Sequence, residues 1–233
     1  MEKQTIDFDA DPVASTEYDD RARKALPGYE VMHTMALSFL KSHLPETANL
    51  LIVGAGTGME LLKFSKSNPQ WQLLGVDPSS NMLAIAQQKI EQNDLSNRVK
   101  LFQGYTQDLP ETPLYDAATC ILVMHFLPDD GSKLALLQSI SQRLKSSAAF
   151  VLVDMFGEKG SGEFEKITAI IKLFWEDMGM PSEQINEILA RINTMVYPIA
   201  ESHTIELLQQ AGFGNIIRFY TGLWIGGWVA TRN

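Results

Sequence analysis

The stretch LLIVGAGTGMELLKF, residues 50–64, sets glycines at 54, 56 and 58 between an apolar run and an apolar-periodic segment. That pattern reads as a strand, a tight turn and a helix start, with backbone able to approach a ligand closely at the glycines. The phosphate-binding loop of nucleotide hydrolases needs Lys followed by Ser or Thr after its last glycine. Here Gly58 is followed by Met59 and Glu60, and an acidic side chain there opposes polyphosphate. A dinucleotide fingerprint, G-x-G-x-x-G/A, keeps a small residue where the helix packs on the strand. Counted from Gly54, that position is the bulky Met59; the spacing is instead G-x-G-x-G. Glu60 beside the turn suits a cationic ligand better than a pyrophosphate.

Further groups of the right chemistry follow in order. Asp77 ends the apolar run of LLGVDPSSNML, 19 residues after Gly58. A carboxylate there can accept hydrogen bonds from both hydroxyls of a ribose; taken alone, it can cap the next helix. Pro78 shares its turn, and Met82 is placed to lie against a purine. In LFQGYTQDLP, residues 101–110, Tyr105 and Thr106 sit where an adenine can be held. Asp108 either accepts from the adenine's exocyclic amine or only fixes the loop. ATCILVMHFLP, residues 118–128, brings Cys120, Ile121 and His125 to the end of another strand. His125 is a candidate general base or a satisfied structural histidine. Cys120, the only cysteine, reads as a small buried residue rather than a nucleophile. His33, His43 and His203 are scattered, so no metal site is expected.

Alternating elements are needed to bring these groups together. Strands are expected at 49–53, 71–76, 99–103, 115–122 and 148–154, with helices at 59–67, 79–93 and 131–144 between them. This alternation predicts an α/β fold, a Rossmann-like and mostly parallel seven-stranded sheet with helices on both faces. Strands at 216–220 and 224–231 supply a C-terminal antiparallel hairpin, after a helix at 202–211 stopped by Gly212. Residues 15–45 read as an N-terminal helical cap broken at Pro27-Gly28, and residues 1–14 as a loose acidic tip. Residues 157–200 interrupt the rhythm with a glycine-bearing linker and two helices, 164–178 and 182–195. The whole chain, 1–233, is read as one domain. On the insertion, Phe174, Trp175 and Met178 are more readily core than a substrate box.

The bulk properties narrow the partners. Nineteen Lys and Arg against 28 Asp and Glu give a net charge of −9, so a phosphate backbone is a poor substrate. One cysteine allows neither an internal disulfide nor a thiolate zinc site. The acidic start MEKQTIDFDADPV is no signal peptide, and no apolar run approaches a membrane span. A cytoplasmic protein acting on a small molecule is expected, with a homodimer left open.

These signals, in this order over residues 48–155 and the terminal hairpin, resemble the class I S-adenosylmethionine-dependent methyltransferases. The resemblance implies that S-adenosylmethionine, or its product S-adenosylhomocysteine, is held through its methionine part by Gly54, Ala55, Gly56 and Gly58. Asp77, with Pro78 and Met82, would take the ribose and adenine side; Tyr105, Thr106 and Asp108 would take adenine. Cys120, Ile121 and the segment to His125 would face the sulfonium and the substrate. Tyr29 is a candidate lid residue over the sulfonium. Asp77→Ala is expected to weaken binding and leave the fold intact.

LPGYE at 26–30, the two-helix insertion and LWIGGWVATR at 223–232 are also similar to the bacterial carboxy-S-adenosylmethionine synthases. Those enzymes transfer a carboxyl group onto the cofactor for tRNA modification. They use an Asn leaving strand four, where this chain has Ile121, and an Arg in the insertion, which Arg191 could match. Methyl transfer to a small acceptor, the carboxy-transfer variant and a non-catalytic cofactor-binding partner are the three readings. In the first, a base is required only if the acceptor must lose a proton. The insertion is expected to fold over the cofactor and shape the acceptor pocket, with Arg191 meeting an acidic group. Otherwise Arg191 only pairs with Glu187, one helical turn away.

Overall fold

The computed structural model describes Asp9 and residues 17–233. The expected loose tip at 1–14, apart from Asp9, and the first two residues of the expected cap lie outside the described residues.

Five strands run parallel: β1 (Asn49–Val53), β2 (Gln72–Asp77), β3 (Val99–Gln103), β4 (Tyr115–Ile121) and β5 (Leu144–Met155). A hairpin of β6 (Phe213–Gly222) and β7 (Ile225–Arg232) completes a seven-stranded sheet in the order β3-β2-β1-β4-β5-β7-β6. β7 alone runs against the others, antiparallel to β5 on one side and to β6 on the other. Chain order reverses between β1 and β4, where the connections leave on opposite faces. That switch point opens a crevice at the carboxyl ends of the strands.

The apolar runs that made the strands legible are buried on both faces, as parallel strands flanked by helices require. Along β1, Leu50 and Ile52 belong to one core and Leu51 and Val53 to the other. The first core takes α1 (Tyr18–Ala25), α2 (Tyr29–His43), α3 (Met59–Ser67), α4 (Ser80–Gln92), α6 (Gly162–Asp177) and α7 (Ser182–Met195). The second takes α5 (Ser132–Gln142) and α8 (Glu201–Gln210).

Two strand starts lie three or more residues from the sequence reading. β5 starts at Leu144 rather than 148, because the exposed Lys145–Ser147 carries no apolar signal. An irregularity there lets Tyr115 pair with Leu144 while Ala117 pairs with Ala149, with Ser147 at φ 61°. β6 likewise starts at Phe213 rather than 216.

Candidate functional site

A cavity of about 470 Å³ lies at the switch point, within the size range of ligand pockets. Its floor is the turn between β1 and α3. Gly54 and Ala55 N–H both donate to the Val76 carbonyl, at 2.8 and 3.0 Å, which ties the turn to β2. The Gly54 α-carbon is so close to β4's exit that an added Cβ would come within 2.1 Å of Val123. Gly58 does different work from the one expected. It does not line the cavity; an added Cβ would meet the Ala86 Cβ at 3.1 Å, so Gly58 lets α3 and α4 pack closely.

Asp77 ends β2 at the cavity, with 8% of its surface exposed. Its carboxylate accepts the Gly56 N–H and the Ser79 N–H, each at 2.9 Å. Burial raises its pKa, and the Ser79 and Gly56 hydrogen bonds oppose that shift. It is not the cap of α4: that role belongs to Ser79, whose hydroxyl accepts from Met82 N–H at 3.1 Å. Pro78 and Met82 line the cavity beside it.

Of the loop after β3, Tyr105 lines the cavity while 58% exposed, and buried Thr106 lines it too, with its hydroxyl bonded to Ser139. Asp108 does not line it. Its carboxylate accepts the Tyr105 N–H at 2.8 Å, closing the 3₁₀ turn at 106–108, so the loop-fixing alternative describes what it does.

At the exit of β4, Ile121, Leu122, Val123 and Phe126 form an apolar wall. Leu122 has φ 61°, a costly conformation for a branched side chain, and its N–H is held by the Val153 carbonyl at 2.7 Å. Cys120, expected toward the sulfonium, is fully buried in the core behind this wall. His125 also stands outside the lining. Its Nδ1 is bonded to the Asp154 carboxylate on β5, and its carbonyl accepts from Tyr197 N–H at 2.7 Å. Lys133 Nζ donates to the Met124 carbonyl at 2.8 Å in the same buried cluster. These contacts shape the exit loop, and the structural-histidine alternative fits His125.

The roof comes from the cap. Tyr18, Tyr29 and His33 line the cavity. Burial holds the Tyr18 hydroxyl up at about 12, helped by Asp77, Asp19 and Glu60 nearby, and raises Tyr29 as well. Asp19 anchors α1 by accepting from the Thr57 hydroxyl of the glycine turn and from Lys89 Nζ at 2.5 Å. His33 was set aside in the sequence as scattered. Its Nδ1 lies 2.9 Å from the Tyr29 carbonyl, which can only accept, so Nδ1 carries the hydrogen. Burial lowers its pKa, leaving a neutral ring whose Nε2 is the basic nitrogen.

Glu60 also lines the cavity, buried to 5% exposure, with Oε1 accepting the Thr119 hydroxyl at 2.5 Å. Its signal was its position: it shares a helical face with the apolar Leu61 and Phe64. Among the described residues, no Lys or Arg lines the cavity.

The insertion does not wall this cavity, contrary to expectation. Trp175 Nε1–H donates to the Ala25 carbonyl at 2.8 Å, and Phe164 stacks on Trp224 with centroids 5.6 Å apart. Both rings are spent on the core beneath the cap, so α6 props the roof from outside. Arg191 is exposed on α7, outside the cavity lining, and forms no ion pair with Glu187. Among the described residues no group of His, Cys, Asp and Glu is arranged to hold a metal, and no helix is long and apolar enough to cross a membrane.

Residues 51–150 match the model of a family described as a methyltransferase domain. The carboxy-S-adenosyl-L-methionine synthase of Campylobacter concisus (strain 13826) is 25% identical over 215 residues, 90% of this chain and 88% of that protein. Two solved structures share the fold. An O-methyltransferase family 2 protein from Planctomyces limnophilus, in complex with apigenin, superposes with a TM-score of 0.67 at 16% identity, covering 98% of this chain and 62% of its own. Human N-acetylserotonin methyltransferase, in complex with SAM, gives 0.64 at 15% identity, covering 96% and 57%. The chain thus spans about three fifths of the length of these two proteins.

Proposed function

We infer that this chain, a class I S-adenosylmethionine-dependent methyltransferase-type enzyme, transfers the methyl group itself to a small acceptor and does not carboxylate its cofactor. One observation carries this reading: among the described residues the cavity holds carboxyl and hydroxyl groups and apolar walls, but no Lys or Arg. An added carboxylate would be desolvated there without a partner, which is strongly unfavourable. Ile121 at the exit of β4 offers no hydrogen bond, and Arg191 faces solvent on α7. The name of the Campylobacter relative, carboxy-S-adenosyl-L-methionine synthase, favours the other reading.

The donor set fits S-adenosylmethionine. Each Asp77 oxygen accepts one backbone N–H and keeps lone-pair capacity for a ribose hydroxyl. Met82 and Tyr105 offer surfaces for the adenine ring. When bound, the cofactor supplies a methyl group already activated by positive charge on sulfur. The chain's own work is alignment and exclusion of water. Leu122, Val123 and Phe126 keep the acceptor side dry, while Tyr18 and Tyr29 close it from above. His33, neutral and with Nδ1–H committed, is the residue suited to take a proton from an acceptor that must lose one.

Mass spectrometry of ligand retained through purification tests the reading. S-adenosylmethionine or S-adenosylhomocysteine is expected. The carboxylated cofactor among the retained ligands would overturn it.

A further inference from the structure

We propose that Glu60 carries a proton in the ligand-free cavity and surrenders it to solvent when a cationic ligand docks, so that the site selects a cation and binding is coupled to proton release. The inference rests on the S-adenosylmethionine reading for the identity of that ligand.

The placement of the carboxyl carries the argument. Glu60 sits in the first turn of α3, directly after the glycine turn, and its side chain enters the cavity floor. Its one hydrogen bond among the described residues comes from Thr119, itself fully buried on β4. Among the described residues, the titratable groups around it are Tyr18 of α1, Tyr29 and His33 of α2, Asp77 of β2 and Cys120 of β4. None supplies positive charge at neutral pH, since burial keeps His33 neutral. A carboxylate desolvated among hydroxyls, a thiol and another carboxylate is harder to ionise than one in water. Burial accordingly pushes Glu60 up to about 8, with the Thr119 hydroxyl bond pulling the other way.

A cation supplies the missing partner. The neutral carboxyl loses its proton to water, and the carboxylate that remains faces the bound positive charge. Only the ionised form pairs with the ligand. Affinity therefore rises with pH, approaching about tenfold per pH unit below the free-site titration, and flattens above it. S-adenosylmethionine offers two cationic centres, its ammonium and its sulfonium. S-adenosylhomocysteine keeps only the ammonium, and methylthioadenosine has neither.

Calorimetry of the full chain at about pH 7, in two buffers of different ionisation enthalpy, counts the protons. About one proton released per S-adenosylmethionine is expected, and none with methylthioadenosine. Release with S-adenosylhomocysteine as well assigns the contact to the ammonium; release with S-adenosylmethionine alone assigns it to the sulfonium. Glu60→Gln keeps an acceptor for Thr119 and should abolish the release and flatten the pH dependence of affinity. Undiminished release in Glu60→Gln, or none in the parent protein, overturns the proposal. A second reading needs no ligand and no variant that might fail to fold. The carbon-13 carboxyl signals of the ligand-free protein should include one glutamate titrating far above the ordinary range, and its absence overturns the protonated carboxyl. If that signal is present but none of the three ligands binds, the cofactor reading fails, and the coupling with it, while the protonated carboxyl stands.

Discussion

Asp77 braces the glycine turn as it stands, through the N–H groups of Gly56 and Ser79. Asp77→Ala would leave both donors without acceptors, at about 1–3 kcal/mol each if they stay dry, so the expectation of an untouched fold does not hold for that variant. Asp77→Asn keeps one acceptor and is the cleaner probe. It should weaken S-adenosylmethionine binding about ten- to hundredfold by calorimetry, with a smaller fall in melting temperature than Ala causes; unchanged affinity would remove Asp77 from ligand contact. Glu60 gives a prediction of the opposite kind. Burial pushes its pKa up to about 8 in the folded chain, against an ordinary value of 4.5. Between those values the unfolded chain has lost the proton and the folded chain keeps it. Unfolding then releases a proton, and stability contributed by the neutral carboxyl falls as pH rises through this window. The melting temperature of ligand-free Glu60→Gln should therefore gain on the parent protein between about pH 5 and pH 8, and parallel curves would refute that. At this scale legibility followed locality. Asp77 and the glycines announced themselves through strand-end position and spacing. Asp108 and His125 did not, because what occupies them is Tyr105 N–H in one case and Asp154, on the next strand, in the other.

The elements were legible wherever one face was apolar, and their partners were not. Hydrophobic period and glycine stops marked α1, α2, α6 and α7, yet nothing local said that α6 would meet α1 rather than the cavity. Trp175 settles that by donating to Ala25, and Tyr220 of β6 donates to the Pro27 carbonyl, so the chain leaving α1 is held from two other elements as it reaches the Pro27-Gly28 break. Trp175→Phe removes one of these ties and leaves a carbonyl unpaired. It should cost about 1–3 kcal/mol in denaturant unfolding and speed proteolytic cleavage between α1 and α2. A loss of stability with unchanged cleavage there would show that the insertion does not hold the cap. Because Tyr18, Tyr29 and His33 roof the site, the same variant should weaken ligand binding without touching a lining residue.

At the scale of the whole molecule, topology and charge agree. The alternation of strands and helices predicted the parallel sheet, and the switch point between β1 and β4 follows from its order. A net charge of −9 and a cavity lined by no Lys or Arg among the described residues both disfavour a polyanion. Transfer RNA should show no salt-sensitive retardation with this protein in low-salt gels, and a steep salt dependence would reopen a nucleic-acid role. The same sheet also dictates when a growing chain becomes competent. The glycine turn, Asp77 and the β4 exit emerge early in synthesis. β7 then has to enter between β5 and a β6 made just before it, and Tyr220 must reach back 193 positions to Pro27. A nascent chain halted before residue 213 has the floor of its pocket and the Trp175 tie, but lacks the Tyr220 anchor of the roof. Contacts of such separation are slow to form because the intervening loop must close first, so the roof gains this last anchor only once the hairpin is in place.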